Sequence, residues 1–361
     1  MGLHKTASSS IQKTLFMKKN NKLLEEKGFL YPRCWYPNHS VPMYSTFCDR
    51  PEMYHINIKN EYSLEEINRN NKQYLNKLKT EIARRQKSSL IISGEAISLL
   101  SADNLFDLQK FIRSLSAEDV TFQVIIYVRN PLTWLSSTIQ QSIKGGTSYQ
   151  KSIATQKIIL QNLFRSRVGK FIQVFGKESI NVFSFEEAIK FRSGPVGHFL
   201  SALGFNSSEI TKFNILKANE RMSLVAGDLL SFINSRIPSI KNGKLNKKRS
   251  NGDHIPFFNI KGPKYEIPNH VNKEIFDISQ EDMKWLKENY GINYLTFTQS
   301  SQIKDKFTKE TLNDIKKIYK NSGLSNNFKR LIIEYIANEI NSSSDKRTIS
   351  LLRNLLIELN H

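Results

Sequence analysis

The sequence predicts an α/β protein built on a parallel sheet, and three observations predict it. Short apolar runs of strand length stand at residues 89–93, 124–128 and 180–184, each separated from the next by a stretch of helical periodicity. Strands alternating with helices fold most readily as right-handed βαβ units, which place helices on both faces of a parallel sheet. Glycines close several of the helical stretches, as Gly28, Gly176 and Gly204 do, which suits residues that must adopt a left-handed backbone. The chain also has enough material for such a core: 361 residues, 39% hydrophobic and 24% charged.

Taken in order, residues 8–27 carry Ile11, Leu15 and Leu23 at helical spacing, with Gly28 in the stopping position. Phe29-Leu30-Tyr31 reads as a short strand closed by Pro32. Residues 33–60 have no clear period but hold Trp35, Tyr36, His39, Tyr44, Phe47, Tyr54 and His55, the composition of an irregular lid or acceptor wall, or equally of a loop packed on the core. Ser63-Leu64-Glu65-Glu66 has the form of a capping box and opens a helix to about residue 86. Ser89-Leu90-Ile91-Ile92-Ser93 suits a buried strand and ends at Gly94-Glu95; a helix over 104–116 follows. A strand is expected over 120–128, with Val124-Ile125-Ile126-Tyr127-Val128 the most strand-like run in the chain, because β-branched and aromatic side chains pack well on a pleated surface. Then come Asn130, suited to a helix cap, and Pro131, suited to a first helical turn. A long helix is expected over 149–175, a strand over 180–184 and a helix over 196–203. Residues 238–268 are polar and rich in Gly, Pro, Lys and Asn, the mark of a long loop or flap. Helical patterns near 280–290, 324–341 and 345–359 complete the chain.

Two stretches carry chemistry. Residues 2–12 run from Gly2-Leu3-His4-Lys5 through Thr6, Ala7, Ser8, Ser9 and Ser10 directly into a helix. Small hydroxyl residues at a helix start let an anion approach unpaired N–H groups at the positive end of the dipole, so this reads as a phosphate or sulfate cradle. A nucleoside-triphosphate loop would place its lysine after a glycine-rich run, whereas here Lys5 comes first. The second stretch is Arg129-Asn130-Pro131 with Ser137 eight residues after the arginine. It stands at the carboxyl end of a buried strand, the edge at which open α/β sheets take ligands, and a guanidinium presents a planar fork to phosphate oxygens.

The first stretch resembles the 5′-phosphosulfate loop of the sulfotransferases, whose usual form is Lys-x-Gly-Thr-Thr-x and which bacterial carbohydrate sulfotransferases often carry as His-Lys-Thr-Gly-Thr-Thr-Ser. Ala7 stands where that family usually has glycine, and Ser8 and Ser9 where it usually has threonine. Arg129-Asn130-Pro131 with Ser137 resembles the family's 3′-phosphate motif. Phe185-Glu186-Glu187 is similar to its late strand followed by an acidic residue, and Asn219-Glu220-Arg221-Met222-Ser223 to an Asn-x-x-x-Ser phrase of bacterial members. The resemblance reaches to about residue 235. It implies a three-layer, P-loop-like parallel sheet flanked by helices, with residues 1–235 forming the core that binds 3′-phosphoadenosine 5′-phosphosulfate (PAPS), and 236–361 a flap and mostly helical C-terminal extension.

What the resemblance implies chemically is transfer of a sulfuryl group from PAPS to an acceptor hydroxyl, on a sugar or glycoconjugate, without a metal ion. Lys5 would serve the bridging oxygen and leaving phosphate, with Thr6, Ala7, Ser8, Ser9 and Ser10 cradling the 5′ group and Arg129 and Ser137 fixing the 3′-phosphate. The acceptor needs a base: Glu95, at the end of a strand, is preferred, with His39 and His55 as alternatives. In the family the loop normally follows a central buried strand, whereas Met1 almost abuts it here, so an apolar strand encoded upstream is expected to raise stability.

Composition bounds the rivals. The formal net charge of +20 would attract a polyanionic cosubstrate, a nucleic acid or an anionic surface, but the Lys and Arg residues are spread along the chain. A non-enzymatic binder of polyanions or nucleic acid therefore rests on charge alone, and a P-loop-type kinase would need a triphosphate loop and a magnesium-binding acid that the sequence does not offer. Two cysteines, Cys34 and Cys48, are too few for a disulfide framework, and the seven histidines form no metal-binding spacing. With no apolar run of membrane length and no apolar leader after Met1, the expectation is a cytoplasmic protein with no membrane span and no nucleic-acid partner.

Overall fold

A computed structural model of the protein describes residues 6–84, 89–216, 222–242, 244–250, 252–297 and 305–360. The fold is mixed α/β and mostly helical, with 64% of residues in helices and only two-stranded sheets among the described residues. The chain divides into two compact units, each built from three stretches: the first from 1–134, 161–219 and 279–296, the second from 135–160, 220–278 and 297–361. Residues beyond 235 therefore occur in both.

In the first unit, β1 (Phe29–Leu30) pairs in parallel with β2 (Ser89–Leu90), and β3 (Val124–Val128) with β4 (Ile180–Ser184), Val124 opposite Ile180 and Val128 opposite Ser184. All five β3 side chains are buried, as a Val-Ile-Ile-Tyr-Val run covered on both faces must be. Ile125 and Tyr127 share one core with Ile11 and Leu15 of helix Ser8–Phe16 and with Phe199 and Leu200 of helix Gly194–Ala202.

The expected three-layer sheet is not seen among the described residues, where the ladder stops between the two pairs. The N–H groups of Ser89 and Ile91 donate to Gly28 and Leu30 at 2.8 Å each, so those of the alternate residues Leu90 and Ile92 turn to the other side. A groove of about 780 Å³ with mixed polar and apolar lining lies there, bordered by Leu90, Ile91 and Ile92 together with Val124 and Ile125. Leu90, Ile91 and Ile92, an apolar run suited to burial, are accordingly only half-buried.

Local chemistry explains the other departures. The helix expected over 8–27 is two, Ser8–Phe16 and Lys18–Glu26, broken where Met17 takes ψ 134°. Asn20 makes the break tolerable by donating its side-chain amide to the Thr14 carbonyl at 2.8 Å. The helix expected over 149–175 is likewise two, Tyr149–Leu160 and Leu163–Phe175. The buried Asp282 carboxylate starts the second by accepting from the Phe164 and Arg165 N–H groups at 2.6 and 2.9 Å. Residues 33–60, expected to be irregular, contain helices Ser40–Phe47 and His55–Lys59. The capping box at Ser63 is formed from both sides: Glu66 N–H donates to the Ser63 hydroxyl and Ser63 N–H to the Glu66 carboxylate.

The second unit holds helices Tyr149–Leu160, Leu224–Arg236, Lys309–Lys320, Asn326–Ser342 and Lys346–Asn360. Among its described residues, the polar stretch after residue 238 contributes the small antiparallel pair β5 (Ile240–Lys241) and β6 (Lys244–Leu245) and a short 3₁₀ helix, Ile255–Asn259. Ser223 caps helix Leu224–Arg236 through the Ala226 N–H, while Asn219, Glu220 and Arg221 of the same phrase lie outside the described residues.

Candidate functional site: an uncapped helix start, a tight corner and a buried arginine

Helix Ser8–Phe16 starts without a side-chain cap, as do helices Lys18–Glu26, Ser40–Phe47, Leu163–Phe175 and Gly194–Ala202. Helices starting after Ser63, Ser101, Ser184, Asn206 and Ser223 each have a side-chain oxygen on a first-turn N–H. Here three serines occupy the first turn, yet the N-cap position, Ala7, has no side-chain cap and no acidic residue follows it. The Ser8 hydroxyl is buried and has no hydrogen-bond partner, although a buried hydroxyl left unpaired costs about 1–3 kcal/mol. Thr6 and Ser10 are buried as well, and Ala7 and Ser9 half-buried.

Ala7 itself sits in the left-handed region, φ 61° and ψ 18°. An L-residue other than glycine pays about 1–2 kcal/mol for that conformation. It is held because the Ala7 carbonyl accepts from the N–H groups of Ser10 and Ile11 at 2.9 and 3.1 Å. Replacing Ala7 with glycine is therefore expected to stabilise the protein by about 1 kcal/mol, read as a shifted urea midpoint with unchanged slope. An unchanged or lower midpoint would show that the left-handed start is not strained.

The same helix is tied to the corner that carries Glu95. Gln12 Nε2 donates to the Ser93 carbonyl and hydroxyl at 3.4 and 3.3 Å. At Gly94 the backbone passes so close to the start of helix Ser40–Phe47 that a Cβ would meet Ser40 N at 2.8 Å; only glycine fits. The Ser40 hydroxyl then accepts from Ala96 N–H at 3.1 Å. Glu95, half-buried, opens the short 3₁₀ helix Glu95–Leu99.

His39 belongs to this corner as a strut. Its ring is fully buried, lying 4.5 Å from Tyr31 and 5.2 Å from Trp35, and its Nδ1 accepts from Ser93 N–H at 3.2 Å. Burial disfavours the imidazolium and pushes its pKa down to about 3. His39, whose ring is an alternative for the base, braces the corner through the Ser93 N–H. His55 is exposed and packs edge-on against Tyr54 at 4.8 Å.

Arg129 follows the last residue of β3 and is 9% exposed. Its Nε donates to the Thr133 hydroxyl at 3.0 Å and its guanidinium lies 5.0 Å over the Phe185 ring. Asn130 caps the following helix by accepting from Leu132 N–H, as its sequence position predicts. The loop is held from outside by Glu186, whose carboxylate accepts from Asn130 N–H at 3.1 Å and from the Tyr294 hydroxyl at 2.7 Å. Burial, reinforced by the Glu186 charge, raises the Tyr294 pKa, so its hydroxyl stays a donor. Tyr294 carried no sequence signal; its role depends on the chain returning to the first unit after residue 278.

Lys5 lies outside the described residues. Ser137 is half-buried on helix Pro131–Lys144, in the stretch assigned to the second unit. Among the described residues no group of three or more His, Cys, Asp or Glu side chains is arranged to hold a metal ion, and no helix is long and apolar enough to cross a membrane. Cys34 and Cys48 are unpaired thiols. Comparison with models of known families, with curated proteins and with solved structures finds no match.

Proposed function

We propose that the protein is a PAPS-dependent sulfotransferase acting on a hydroxyl of a carbohydrate or glycoconjugate. The observation that carries this reading is the helix start at Ala7–Ser10: uncapped, free of acidic side chains in its first turn, and lined by the unpartnered buried Ser8 hydroxyl. Such a start is complementary to an anion. The left-handed backbone at Ala7, the position where the family usually has glycine, adds support, because it is the conformation a glycine there would supply.

In this reading residues 6–10 cradle the 5′-phosphosulfate and Lys5 serves the bridging oxygen. Arg129 fixes the 3′-phosphate. The helix bearing the loop and the strand leading to Arg129 pack into one core, and the Gln12 to Ser93 contact ties the loop's helix to the Glu95 corner. The acceptor oxygen attacks sulfur while the bond from sulfur to the bridging oxygen breaks. The electron pair leaves on the 5′-phosphate and the acceptor proton passes to Glu95. Positioning and charge neutralisation do most of the work in a transfer of this kind.

Calorimetric titration tests the reading directly. Adenosine 3′,5′-bisphosphate is expected to bind at least ~10-fold more tightly than adenosine 5′-monophosphate, since a charge-assisted contact to the 3′-phosphate contributes about 1.5–3 kcal/mol. Equal affinity would reject it, and steeply salt-dependent binding of arbitrary DNA without that preference would favour the polyanion binder.

A further inference from the structure

Helix Leu163–Phe175 carries two cations, Arg167 and Lys170, three residues apart on one face and both half-buried. Arg167 Nη1 donates to the Ser98 carbonyl at 2.9 Å, and Lys170 Nζ donates to the carbonyls of Ser98, at 2.6 Å, and of Leu100. Carbonyl dipoles at the end of a 3₁₀ turn orient these charges but do not cancel them. No carboxylate among the described residues pairs with either cation. Charges partly withdrawn from water are ordinarily matched by an opposite charge, and this pair is not. Burial, and then the neighbouring Arg167, push the Lys170 pKa down to about 7, the behaviour of an amine lacking its counter-ion.

The surroundings indicate what brings the charge. The Tyr44 hydroxyl lies within electrostatic reach of Arg167, and the Tyr44 ring packs at a tilt of 52° against Tyr54 with ring centroids 4.8 Å apart. Tyr54 is in turn within reach of Glu95. Arg167, the half-exposed Tyr44 ring, the buried Tyr54 and Glu95 are thus each within electrostatic reach or ring contact of the next. Aromatic faces beside polar donors are the means by which proteins hold the apolar and hydroxylated sides of a sugar.

We propose that Arg167 and Lys170, with Tyr44, bind an anionic group, carboxylate or phosphate ester, carried by a sugar. The proposal rests on the transfer reading only for what the sugar is for: it makes the acceptor an acidic sugar whose hydroxyl faces Glu95. Whether the sugar binds is independent of that reading and is measured without the nucleotide.

The unaltered full-length chain suffices for the test. A lysine amine with a pKa near 7 reacts with acetic anhydride at neutral pH well ahead of ordinary surface lysines, and peptide mass mapping reads its acetylation rate. D-glucuronate or D-glucose 6-phosphate, each at millimolar concentration, is expected to slow acetylation of Lys170 by at least ~5-fold, while D-glucose leaves it unchanged. Protection by glucuronate alone identifies the group as a carboxylate, and by glucose 6-phosphate alone as a phosphate ester. Equal protection by acetate or inorganic phosphate overturns the sugar site, as does absence of protection by every probe. In parallel, Arg167→Met is expected to abolish the protection and Lys170→Arg to keep calorimetric binding of the acidic sugar within ~3-fold. If the acidic sugar binds but adenosine 3′,5′-bisphosphate does not, the transfer reading fails and this site stands.

Discussion

Replacing Arg129 with alanine is expected to weaken binding of adenosine 3′,5′-bisphosphate by about 100-fold and to leave adenosine 5′-monophosphate unaffected. Truncating one side of a buried charge-assisted contact costs about 2–5 kcal/mol, because the phosphate is then desolvated without its partner. Arg129 is preorganised for such a contact: Thr133 fixes Nε, Phe185 supports the guanidinium plane, and Glu186 and Tyr294 hold the loop that carries it. Little side-chain entropy is then lost on binding. Lys5→Ala provides the contrast, since a group that meets charge developing on the leaving phosphate should lower kcat while sparing affinity for the product nucleotide. Equal losses for both nucleotides in the Arg129 variant would mean that the arginine supports the fold and reads no 3′-phosphate. The measurement is calorimetry on both nucleotides, with a thermal melt to establish that the variant is folded.

What could be read in advance divides along a physical line. Features determined by residues near in sequence were legible: the Ser63 capping box, the Asn130 cap before Pro131, the buried Val124–Val128 strand and the stop at Gly176, which takes φ 83°. Features determined by distant partners were not. The break after Leu160 is built by Asp282, more than a hundred residues away, and helix Ser40–Phe47 starts where Ser93 and Gly94 press against His39 and Ser40. Periodicity cannot report a cap donated from elsewhere. The candidate site follows the same division: its loop and its arginine stood out by residue type and order, whereas Tyr294 had no local signature and the burial of His39 is invisible in a sequence.

The sheet shows how a correct local reading can still miss the layer above it. The strands expected over 29–31, 89–93, 120–128 and 180–184 are present, the first three shortened to 29–30, 89–90 and 124–128, and each is parallel to its partner. What the runs cannot specify is whether the ladder is continuous, because an apolar strand reads alike whether its second edge meets a neighbour or a groove. The half-burial of Leu90, Ile91 and Ile92 is the price of the interruption.

In the second unit, Arg249→Ala is expected to destabilise the protein by about 3–5 kcal/mol, as breaking a buried ion pair from one side does. Arg249, 8% exposed, holds both Asp253 oxygens, Nε to Oδ2 at 2.7 Å and Nη2 to Oδ1 at 2.8 Å. Its Nη1 donates to Asn234 Oδ1 and to the Ile237 carbonyl, each at 2.9 Å, and its plane lies 5.0 Å from the Phe328 ring. Asn234 carries the network onward to the carbonyls of Ile143 and Thr147. Removing the guanidinium would strand a carboxylate and an amide together. The pair also sets a pH dependence. Burial alone would raise the Asp253 pKa, but hydrogen bonds from His254 and Arg249 outweigh it and bring the value from 3.8 down to about 2. A carboxyl whose pKa is lower folded than unfolded stabilises fully above the unfolded value, so this contribution is present above pH ~4 and lost as pH falls towards 2. Urea titrations from pH 7 to pH 2 should therefore show a loss in that acid window that Asp253→Asn lacks, from a lower starting stability at pH 7. The double variant Arg249→Met/Asp253→Leu should be less damaging than Arg249→Ala, because it leaves no uncompensated charge behind. An Arg249→Ala cost below about 1 kcal/mol would place the pair among surface contacts, with the flap held instead by packing on Phe328.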